Sequence, residues 1–373
     1  MKVLKFGGTS VANSKNIKKV LNIVANSSAE QNVVVVVSAF GKTTNALIKG
    51  ATLAAQKNEE YLEILKELEN HHFRVVQELI PTKHQTSVNS RVKQLFNQLE
   101  TIYEGCFLLR ELSPKTLAKV SSFGELLSSY IIAKAANEKF ATVYKDSREL
   151  IVASDNYNNA AVDFSATFKN CDEYFSTHTQ QVTIIPGFVA RTVHGKTTTL
   201  GRGGSDFTAS IIAAALNASE LQIWTDVSGM FTANPSIVKQ ASVIDHISYH
   251  EAMELSHFGA KVIYPPTIQP VLRKEIPIVI KNTFQPEDSG TLITKETSIN
   301  KPVKGISYIE DISLVTLEGN GMVGVPGFSK RLFEVLYLHQ INIILITQAS
   351  SELSICLAIS DDDASKAKTI IDE

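Results

Sequence analysis

The first part of the chain alternates between short apolar runs and longer stretches with helical spacing. Apolar residues alternate over 2–6, a Gly-Gly-Thr-Ser turn covers 7–10, and a helical pattern follows over 11–25. Residues 33–37 are consecutive valines bounded by polar residues, which is typical of a strand buried on both faces of a sheet. Strand, helix and strand in close succession predict a parallel sheet with right-handed crossovers.

Two long amphipathic stretches come next. One stripe of apolar positions covers 61–79 and a second covers 92–109, with Pro81 and a polar run between them. Both stripes repeat at the spacing of a helix, so we predict two packed antiparallel helices. We assign the stripes to the core.

The middle of the chain returns to strand and helix signals and then becomes irregular. The predicted elements are strands at 141–144 and 182–185, a Gly-rich turn at 201–206, an Ala-rich helix to Leu216, a strand at 221–224, a helix at 250–258 and a strand at 277–281. From 285 to 301 the chain is polar and irregular, and we interpret this segment as a domain boundary.

A smaller unit follows the boundary. Its predicted elements are a strand at 313–317, a Gly-rich loop at 319–327, a helix at 328–339, strands at 341–347 and 353–359, and a helix from Ala364. This β-α-β-β-α order is a ferredoxin-like pattern without its last strand. We therefore predict an α/β protein with a parallel-rich sheet sandwiched by helices over 1–285, a linker over 286–301 and an incomplete ferredoxin-like domain over 302–373.

Composition narrows the functional classes. The chain has 373 residues, 44% of them hydrophobic and 20% charged, and a net charge of −2. These values predict two or three globular domains, and they give no basic surface for nucleic acid or for a membrane. No apolar run approaches the ~20 residues that span a bilayer, Met1 leads directly into structure, and the three cysteines lack metal-ligand spacing. We expect a soluble cytoplasmic protein.

Two familiar phosphate-binding motifs are absent. Gly41-Lys42-Thr43 resembles the end of a P-loop, but Val36 stands where that motif requires its first glycine. The Gly201-x-Gly203 turn has Asp206 where a dinucleotide fingerprint requires its third glycine. Walker and Rossmann sites are therefore excluded.

The turn at Gly7-Gly8 is nevertheless suited to phosphate. It lies between the first predicted strand and helix, where free backbone N–H groups and the helix dipole attract anions. Lys5 on the preceding strand could place an ammonium beside the same phosphate. A tight turn that merely requires glycine explains the sequence equally well, and both interpretations stay open.

Other candidates are single polar residues at predicted turns. Arg202 stands among three glycines and is well placed to bind a carboxylate, whereas Asp206 could simply cap a helix. Asp226 follows a predicted strand at the edge where α/β sheets bind ligands, or it caps the next turn. Glu125 follows Gly124, which we interpret as a helix breaker; an exposed helix charge is the favoured explanation of Glu125.

Taken together, these segments resemble the signatures of the aspartokinases, within the amino acid kinase family. The matching segments are 5–11 (KFGGTSV), 199–209 (TLGRGGSDFTA), 224–227 (WTDV) and 258–262 (FGAKV), in the family's order. The resemblance covers nearly the whole chain and includes a C-terminal part similar to an ACT regulatory domain. Residues 346–352 (ITQASSE) resemble the aspartokinase part of the bifunctional aspartokinase–homoserine dehydrogenases.

The resemblance implies an activity, cofactors and partners. The reaction would be ATP- and Mg²⁺-dependent phosphorylation of the L-aspartate side chain to 4-phospho-L-aspartate, the first step towards lysine, threonine and methionine. An amino-acid effector, threonine or lysine, would bind the ACT-like unit, and Gln348 matches a position implicated in effector binding. An exposed glutamine at the end of a strand is the alternative explanation of Gln348. The unpaired strand edge of an incomplete ACT unit favours a homodimer.

The resemblance also assigns roles to individual residues. Those implied in catalysis are Lys5, which would stabilise the transferring phosphoryl group, and Asp206, which would orient Lys5 or the substrate amine. Those implied in aspartate binding are Ser38, Thr44, Glu125 on the α-ammonium, Arg202 on the α-carboxylate, and Ser205. Those implied in nucleotide binding are Lys5, Gly7, Gly8, Thr225, Asp226, Phe231 and Lys261. No protein side chain is assigned to a metal.

Four positions depart from the family pattern. Phe231 replaces a tyrosine, Asn234 and Ser236 replace the aspartate and arginine of Asp-Pro-Arg, and Tyr264 replaces a histidine. The missing arginine would contact a nucleotide phosphate, so ATP affinity is the property most affected. Two alternatives therefore stand beside the aspartokinase hypothesis: an amino-acid-sensing regulator with weakened catalysis, and a superfamily kinase of another small acid.

Overall fold

The computed structural model describes residues 1–257, 263–296, 303–319, 327–348 and 354–372. The chain divides into two compact units, Met1–Ser307 and Tyr308–Glu373.

The first unit is an α/β sandwich around one large sheet. Its strands are β1 (Lys2–Phe6), β2 (Val33–Val37), β3 (Thr142–Tyr144), β4 (Val152–Ala153), β5 (Val182–Pro186), β6 (Val189–Thr192), β7 (Thr197–Thr199), β8 (Glu220–Thr225), β9 (His246–Ser248), β10 (Ile278–Asn282) and β11 (Thr291–Thr294). Its helices are α1 (Ser14–Glu30), α2 (Thr43–Ala55), α3 (Glu60–Leu79), α4 (Thr82–Leu109), α5 (Pro114–Asn137), α6 (Phe164–Thr177), α7 (Gly204–Ala215), α8 (Tyr249–His257) and α9 (Gln269–Arg273).

The large sheet has the strand order β3-β5-β2-β1-β8-β10-β11-β9. All neighbours pair in parallel except β10 and β11, which are antiparallel. The strands β4, β6 and β7 form a separate small sheet. The predicted parallel sheet is confirmed, and the carboxyl ends of β1, β2, β5, β8 and β10 lie along one edge, where open α/β sheets bind ligands.

The valines of β2 show why the sheet is covered on both faces. Val33, Val35 and Val37 belong to one hydrophobic cluster with residues of α1 to α5. Val34 and Val36 belong to a second cluster with residues of α6, α7 and α9. All five valines are buried, as expected for a strand between two helical layers.

The structure corrects the predicted nature of α5. Gly124 does not break this helix but lies in its buried interior, and a Cβ at this position would stand only 2.8 Å from Ala39 Cβ. The missing side chain lets α5 approach the turn after β2. The interpretation of Glu125 as an exposed charge is wrong as well, because its side chain is buried.

Two predicted boundaries also change. The first helix begins at Ser14 and not at Val11, because Asn13 Oδ1 accepts the Asn16 N–H and caps it there. Within the segment predicted to be irregular, Thr291–Thr294 forms β11, which pairs with β10 of the large sheet. Four residues are too few for the alternation of a strand to stand out from the polar sequence around them.

The second unit is a small antiparallel sheet with two helices. Its strands are β12 (Ile312–Glu318), β13 (Ile343–Gln348) and β14 (Ser354–Ser360), and its helices are α10 (Phe328–Leu338) and α11 (Ala364–Asp372). The sheet order is β12-β14-β13. Leu336, Leu357 and Ile359 contribute to a hydrophobic core of its own. The predicted β-α-β-β-α order is confirmed.

Candidate active site

A cleft of about 250 Å³ opens at the carboxyl edge of the large sheet. The residues that line it come from β1, from the turns after β2 and β5, from the first turn of α2, from α5, and from the start of α7 with the turn that precedes it. They are Lys5, Ser38, Thr44, Glu125, Phe188, Gly201, Gly203, Gly204, Ser205 and Asp206. Segments that lie far apart in the sequence therefore meet in one small cavity.

Lys5 and Asp206 form an ion pair on one wall of the cleft. Lys5 Nζ lies 2.7 Å from Asp206 Oδ1, and the two side chains are 10% and 15% exposed. Because β1 is central in the sheet, the position of Lys5 is fixed by strands on both sides. A lysine held in this way offers a positive charge to an anion without the loss of side-chain entropy that a surface lysine would have.

The first turn of α7 faces the same space. Gly203, just before the helix, has a φ of +68° and supplies no side-chain cap. The Gly204 N–H already donates to Gly201 O at 3.0 Å, so the attraction of this helix start for an anion rests on the helix dipole, which favours negative charge there. Gly187 permits the approach of this turn, since a Cβ at that position would stand 2.6 Å from Ser205 Cβ.

Glu125 supplies a buried carboxyl group on the α5 side. Its side chain is 5% exposed, and Oε2 has no hydrogen-bond partner within the described part of the chain. Burial raises the pKa of Glu125 to about 8, and a backbone hydrogen bond from Ala39 opposes this only in part. A buried carboxyl group that lines a cavity and has one unpartnered oxygen is suited to a cationic group of a ligand.

The turn after β2 and the first turn of α2 hold Ser38 and Thr44, respectively, at the cleft. The Ser38 N–H donates to Phe6 O at 3.1 Å, and Ser128 Oγ donates to Ser38 O at 2.8 Å. Ser38 is thereby tied both to β1 and to α5. Thr44 lies in the first turn of α2, close to Gly124.

The Gly7-Gly8 turn lies against two neighbouring turns. The Gly7 N–H donates to Trp224 O at 3.2 Å, and the Gly41 N–H donates to Gly8 O at 3.0 Å. A Cβ on Gly8 would stand 2.9 Å from Gly41 O, so close packing accounts for this glycine. Since α1 begins at Ser14, its first N–H groups do not belong to this turn. The packing and phosphate interpretations of the turn are compatible.

Arg202 is close to the cleft without lining it. It lies on the turn between Gly201 and Gly203, and its guanidinium stacks on the Tyr264 ring at 5.6 Å. The tyrosine at 264 therefore has a structural role at this turn, because its aromatic ring holds the Arg202 guanidinium by a cation–π interaction.

The carboxyl end of β8 lies beside the Gly7-Gly8 turn. Phe6 is paired with Trp224 in the sheet, so Thr225 and Asp226 continue at the level of Gly7. Thr225 Oγ1 donates to Asp226 Oδ1 at 3.1 Å. Phe231 lies further along the same connection, where it forms an isolated β-bridge with Val243.

The two substituted positions in this connection contact one another. Asn234 Oδ1 accepts hydrogen bonds from the Ser236 backbone N–H at 2.9 Å and from Ser236 Oγ at 2.8 Å. A local turn therefore holds the segment where the family pattern has Asp-Pro-Arg. Lys261, a predicted nucleotide-binding residue, lies outside the described residues.

Phe188 lines the cleft and was missed by the sequence analysis. It has a φ of +67°, which is uncommon for a residue with a side chain. Its N–H donates to Thr208 Oγ1 at 2.9 Å, and its carbonyl accepts the Leu200 N–H at 2.9 Å. The signal that could have located it is its place just after a buried parallel strand, at the carboxyl edge of the sheet.

The described part of the chain offers no site built for a metal ion and no membrane-spanning helix. Within the described ranges, no group of three or more His, Cys, Asp or Glu side chains could hold a metal ion. No helix in those ranges combines the length and the apolar character that crossing a bilayer requires. In the second unit, Gln348 ends β13 and is exposed.

Comparison with known proteins places this geometry in a family. The amino acid kinase family matches residues 1–282, and an ACT domain matches residues 315–373. A bifunctional aspartokinase/homoserine dehydrogenase of Arabidopsis thaliana is 35% identical over 97% of this chain and 40% of its own length. One from Buchnera aphidicola is 35% identical over 98% of this chain and 45% of its own length. The chain thus spans less than half of these relatives.

Solved structures agree with the sequence matches. E. coli aspartokinase III, in complex with aspartate and ADP, is 31% identical with a TM-score of 0.83, over 96% of this chain and 78% of that one. An aspartate kinase of Clostridium acetobutylicum is 26% identical with a TM-score of 0.66, over 99% and 98% of the two chains. The resemblance identified from the sequence is confirmed, and the chain belongs to the amino acid kinase family.

Proposed function

We propose that the protein is an aspartate kinase, which transfers the γ-phosphoryl group of ATP to the side-chain carboxylate of L-aspartate. The products are ADP and 4-phospho-L-aspartate, the first intermediate towards lysine, threonine and methionine. The observation that carries the proposal is the cleft, in which the Lys5–Asp206 pair and the buried Glu125 face one small cavity. The aspartokinases among the relatives support the choice of substrate.

The reaction requires charge neutralisation more than proton transfer. The attacking carboxylate is already ionised at neutral pH, so no general base is needed. A carboxylate must, however, approach a phosphoryl group that is itself anionic. Lys5 Nζ and the Gly8 N–H would stabilise the transferring group, because the N–H of neighbouring Gly7 is bound by Trp224 O, and ATP would bring Mg²⁺ as its complex. Asp206 would keep Lys5 in position through the 2.7 Å contact.

Aspartate would be recognised through its α-ammonium and α-carboxylate groups. Glu125 would bind the α-ammonium group, which is the cation that its unpartnered Oε2 lacks. Arg202 would bind the α-carboxylate by moving its guanidinium from Tyr264 towards the cleft, while Ser38, Thr44 and Ser205 supply hydroxyl groups around the acceptor. A site with one acid and one arginine selects a zwitterion over a simple dicarboxylic acid.

The nucleotide would lie along the carboxyl end of β8. Thr225, Asp226 and Phe231 are close in the chain and follow the strand that pairs with β1, so a nucleotide there would direct its phosphates to Gly7 and Gly8. Lys261 is proposed as a further nucleotide-binding residue because it belongs to the matching family segment 258–262. The turn formed by Asn234 and Ser236 provides no cation for the phosphates.

We also propose a regulatory role and a homodimer for the second unit. Its strands and helices follow the ACT pattern, and the exposed Gln348 would contribute to a site for an amino-acid effector, threonine or lysine. The outer edge of β12 has no strand partner among the described residues, and such an edge favours pairing with another chain. The domain limits 1–285 and 302–373 stay a prediction.

Trapping the acyl phosphate with hydroxylamine tests the activity directly. We expect ATP-dependent aspartate hydroxamate from the wild type and a loss of at least 100-fold in kcat for Lys5→Ala, because a preorganised positive charge on the phosphoryl group is removed. Lys2→Ala is the matched control: Lys2 lies on the same strand and pairs with Glu30 at 3.3 Å. Its kcat should equal that of the wild type.

The same assay separates the alternatives. Preference for glutamate over aspartate would reject the proposed substrate and favour a kinase of another small acid. No hydroxamate from well-folded wild type, with retained binding of an amino acid, would favour a sensor without catalysis.

A further inference from the structure

A second cavity lies on the first unit, away from the cleft. It encloses about 280 Å³ between α6, the start of α7 and the segment that leads into α9. None of the residues that line it lines the cleft. Its occupant would therefore not compete with aspartate for space.

The walls of this cavity are aromatic. Phe164 and Phe168 on α6 and Phe207 on α7 stand edge to face, with ring centroids 5.8 Å apart for Phe164–Phe168 and 6.4 Å apart for Phe164–Phe207. The rings of Pro266 and Pro270 form the opposite side. Faces and edges of three rings around a small volume are the surroundings in which a further aromatic ring packs well.

The rim of the cavity is cationic. Arg273 and Lys274 line it at the end of α9, and both are exposed. Neither has an ion-pair partner within the described ranges, and the carboxylate of neighbouring Glu275 is bound by Lys295 at 2.7 Å. No carboxylate side chain is among the lining residues. The charge at the mouth of the cavity is thus positive and uncompensated.

We propose that this cavity is a binding site for a small aromatic monocarboxylate. The ring lies among the three phenylalanines, and the carboxylate lies at the mouth, where Arg273 and Lys274 bind it by charge-assisted hydrogen bonds. The volume accepts one ring with a short acidic chain. The apolar cavity selects the aromatic ring of such a ligand, and the positive charge at its opening selects the carboxylate.

The cavity touches two segments that also build the cleft. Phe207 follows Asp206 directly on α7, and Pro266 lies two residues after Tyr264, the ring on which Arg202 stacks. The site is nevertheless tested by binding alone, so its outcome does not depend on whether the protein phosphorylates aspartate.

Calorimetric titration with 3-phenylpropanoate tests the proposal, with two matched compounds. The neutral amide 3-phenylpropanamide retains the ring, and propanoate retains the charge. We expect the acid to bind in the submillimolar range, the amide at least fivefold more weakly, and propanoate not measurably. In Arg273→Glu/Lys274→Glu the preference for the acid over the amide should disappear, since the rim then repels a carboxylate.

Lys169→Glu is the control variant. Lys169 is exposed on α6 beside Phe168 but does not line the cavity, so a lysine-to-glutamate charge reversal there should leave the affinity for the acid within twofold. Both rim residues are on the surface, and unchanged thermal unfolding of the double variant would show that its fold is intact. Failure of the acid to bind at 10 mM, equal affinity for acid and amide, or an unchanged preference in the double variant would each overturn the proposal.

Discussion

At the scale of single residues, Glu125 is the side chain whose chemistry departs most from its behaviour in water. Its pKa is raised from 4.5 to about 8, so at neutral pH much of the unliganded protein carries a protonated carboxyl group there. A ligand with an ammonium group favours the ionised form. Binding of aspartate should therefore release a proton from Glu125, and affinity becomes a function of pH.

The KM for aspartate should fall at least tenfold as the pH rises from 6 to 8. Below its pKa, Glu125 must lose a proton before it can pair with the α-ammonium, and this requirement disappears above pH 8. In Glu125→Gln the KM for aspartate should be independent of pH over this range. At pH 8 it should exceed the wild-type KM by about two orders of magnitude. Initial rates at saturating ATP measure both. Glu63→Gln, on the exposed face of α3, should behave as the wild type; a sloping profile in Glu125→Gln would remove Glu125 from this role.

Glu125 also makes the stability of the unliganded protein depend on pH. A folded-state pKa above the unfolded value means that the folded protein holds the extra proton, so the contribution of Glu125 to stability is greatest below pH 4.5 and is lost as the pH rises through 8. The shift is equivalent to about 3–5 kcal/mol. Urea unfolding should show Glu125→Gln more stable than the wild type by a few kcal/mol at pH 8.5 and equal near pH 5. A difference that is constant over this range would show that ionisation of Glu125 is not its cause.

A second residue, Ser236, bears on nucleotide affinity. Its backbone and hydroxyl bind Asn234 where the family pattern places an arginine. Ser236→Arg should lower the KM for ATP about tenfold, since a charge-assisted hydrogen bond to a phosphate contributes about 1.5–3 kcal/mol, and should leave the KM for aspartate unchanged. Ser236→Gln is the uncharged control. An ATP KM that does not change in the arginine variant would mean that another group already fills this position.

At the scale of elements, the glycine within α5 lets this helix approach the cleft that Glu125 lines. Gly124 lies one residue before Glu125, and a Cβ there would meet Ala39 at 2.8 Å. Gly105 offers a matched comparison in α4, because a Cβ at that position would have no atom within 4 Å. Substitution of glycine by alanine therefore creates a local clash in α5, whereas in α4 it changes only the helix propensity.

Gly124→Ala should lower the free energy of unfolding by about 1–3 kcal/mol, because overpacking outweighs the gain in helix propensity. The KM for aspartate should rise, since Glu125 moves with the displaced helix and the new methyl group would stand 3.4 Å from Thr44 Oγ1. Gly105→Ala should raise the free energy of unfolding by about 0.5–1 kcal/mol without an effect on KM. Urea denaturation and initial rates measure the two effects. Stabilisation by both substitutions would contradict the packing argument.

The elements also show what the sequence could and could not predict. Five valines in a row predict a buried parallel strand, and the regular stripes of α3 and α4 predict long amphipathic helices, because both signals repeat over many residues. Gly124 was interpreted as a helix breaker, because its packing against Ala39 is a contact between distant segments. For the same reason the burial of Glu125 and the place of Phe188 in the cleft could not be predicted. Local pattern gives the elements, whereas the close approach of two elements depends on tertiary structure.

At the scale of the whole molecule, the two units differ in how completely they cover their sheets. The large sheet has a hydrophobic cluster on each face. In the second unit the core residues of β12 and β14 alternate with residues that face the other way. On that other face, Leu314, Ala358 and Leu345 stand side by side across the three strands, and the two leucines are 68% and 50% exposed. A row of exposed apolar side chains next to an unpaired strand edge is typical of a surface that binds another chain.

Leu345→Lys should therefore convert the proposed homodimer into a monomer. A lysine in the middle of an apolar contact would have to be buried without a partner, which costs several kcal/mol and is enough to raise a dimer dissociation constant at least 1,000-fold. Sedimentation equilibrium at micromolar concentration should give twice the chain mass for the wild type and the chain mass for the variant. Leu109→Lys is the control, because Leu109 at the end of α4 is 75% exposed and should not alter the mass. A wild type of single-chain mass, or a dimer that survives Leu345→Lys, would show that this face of the second unit does not join two copies.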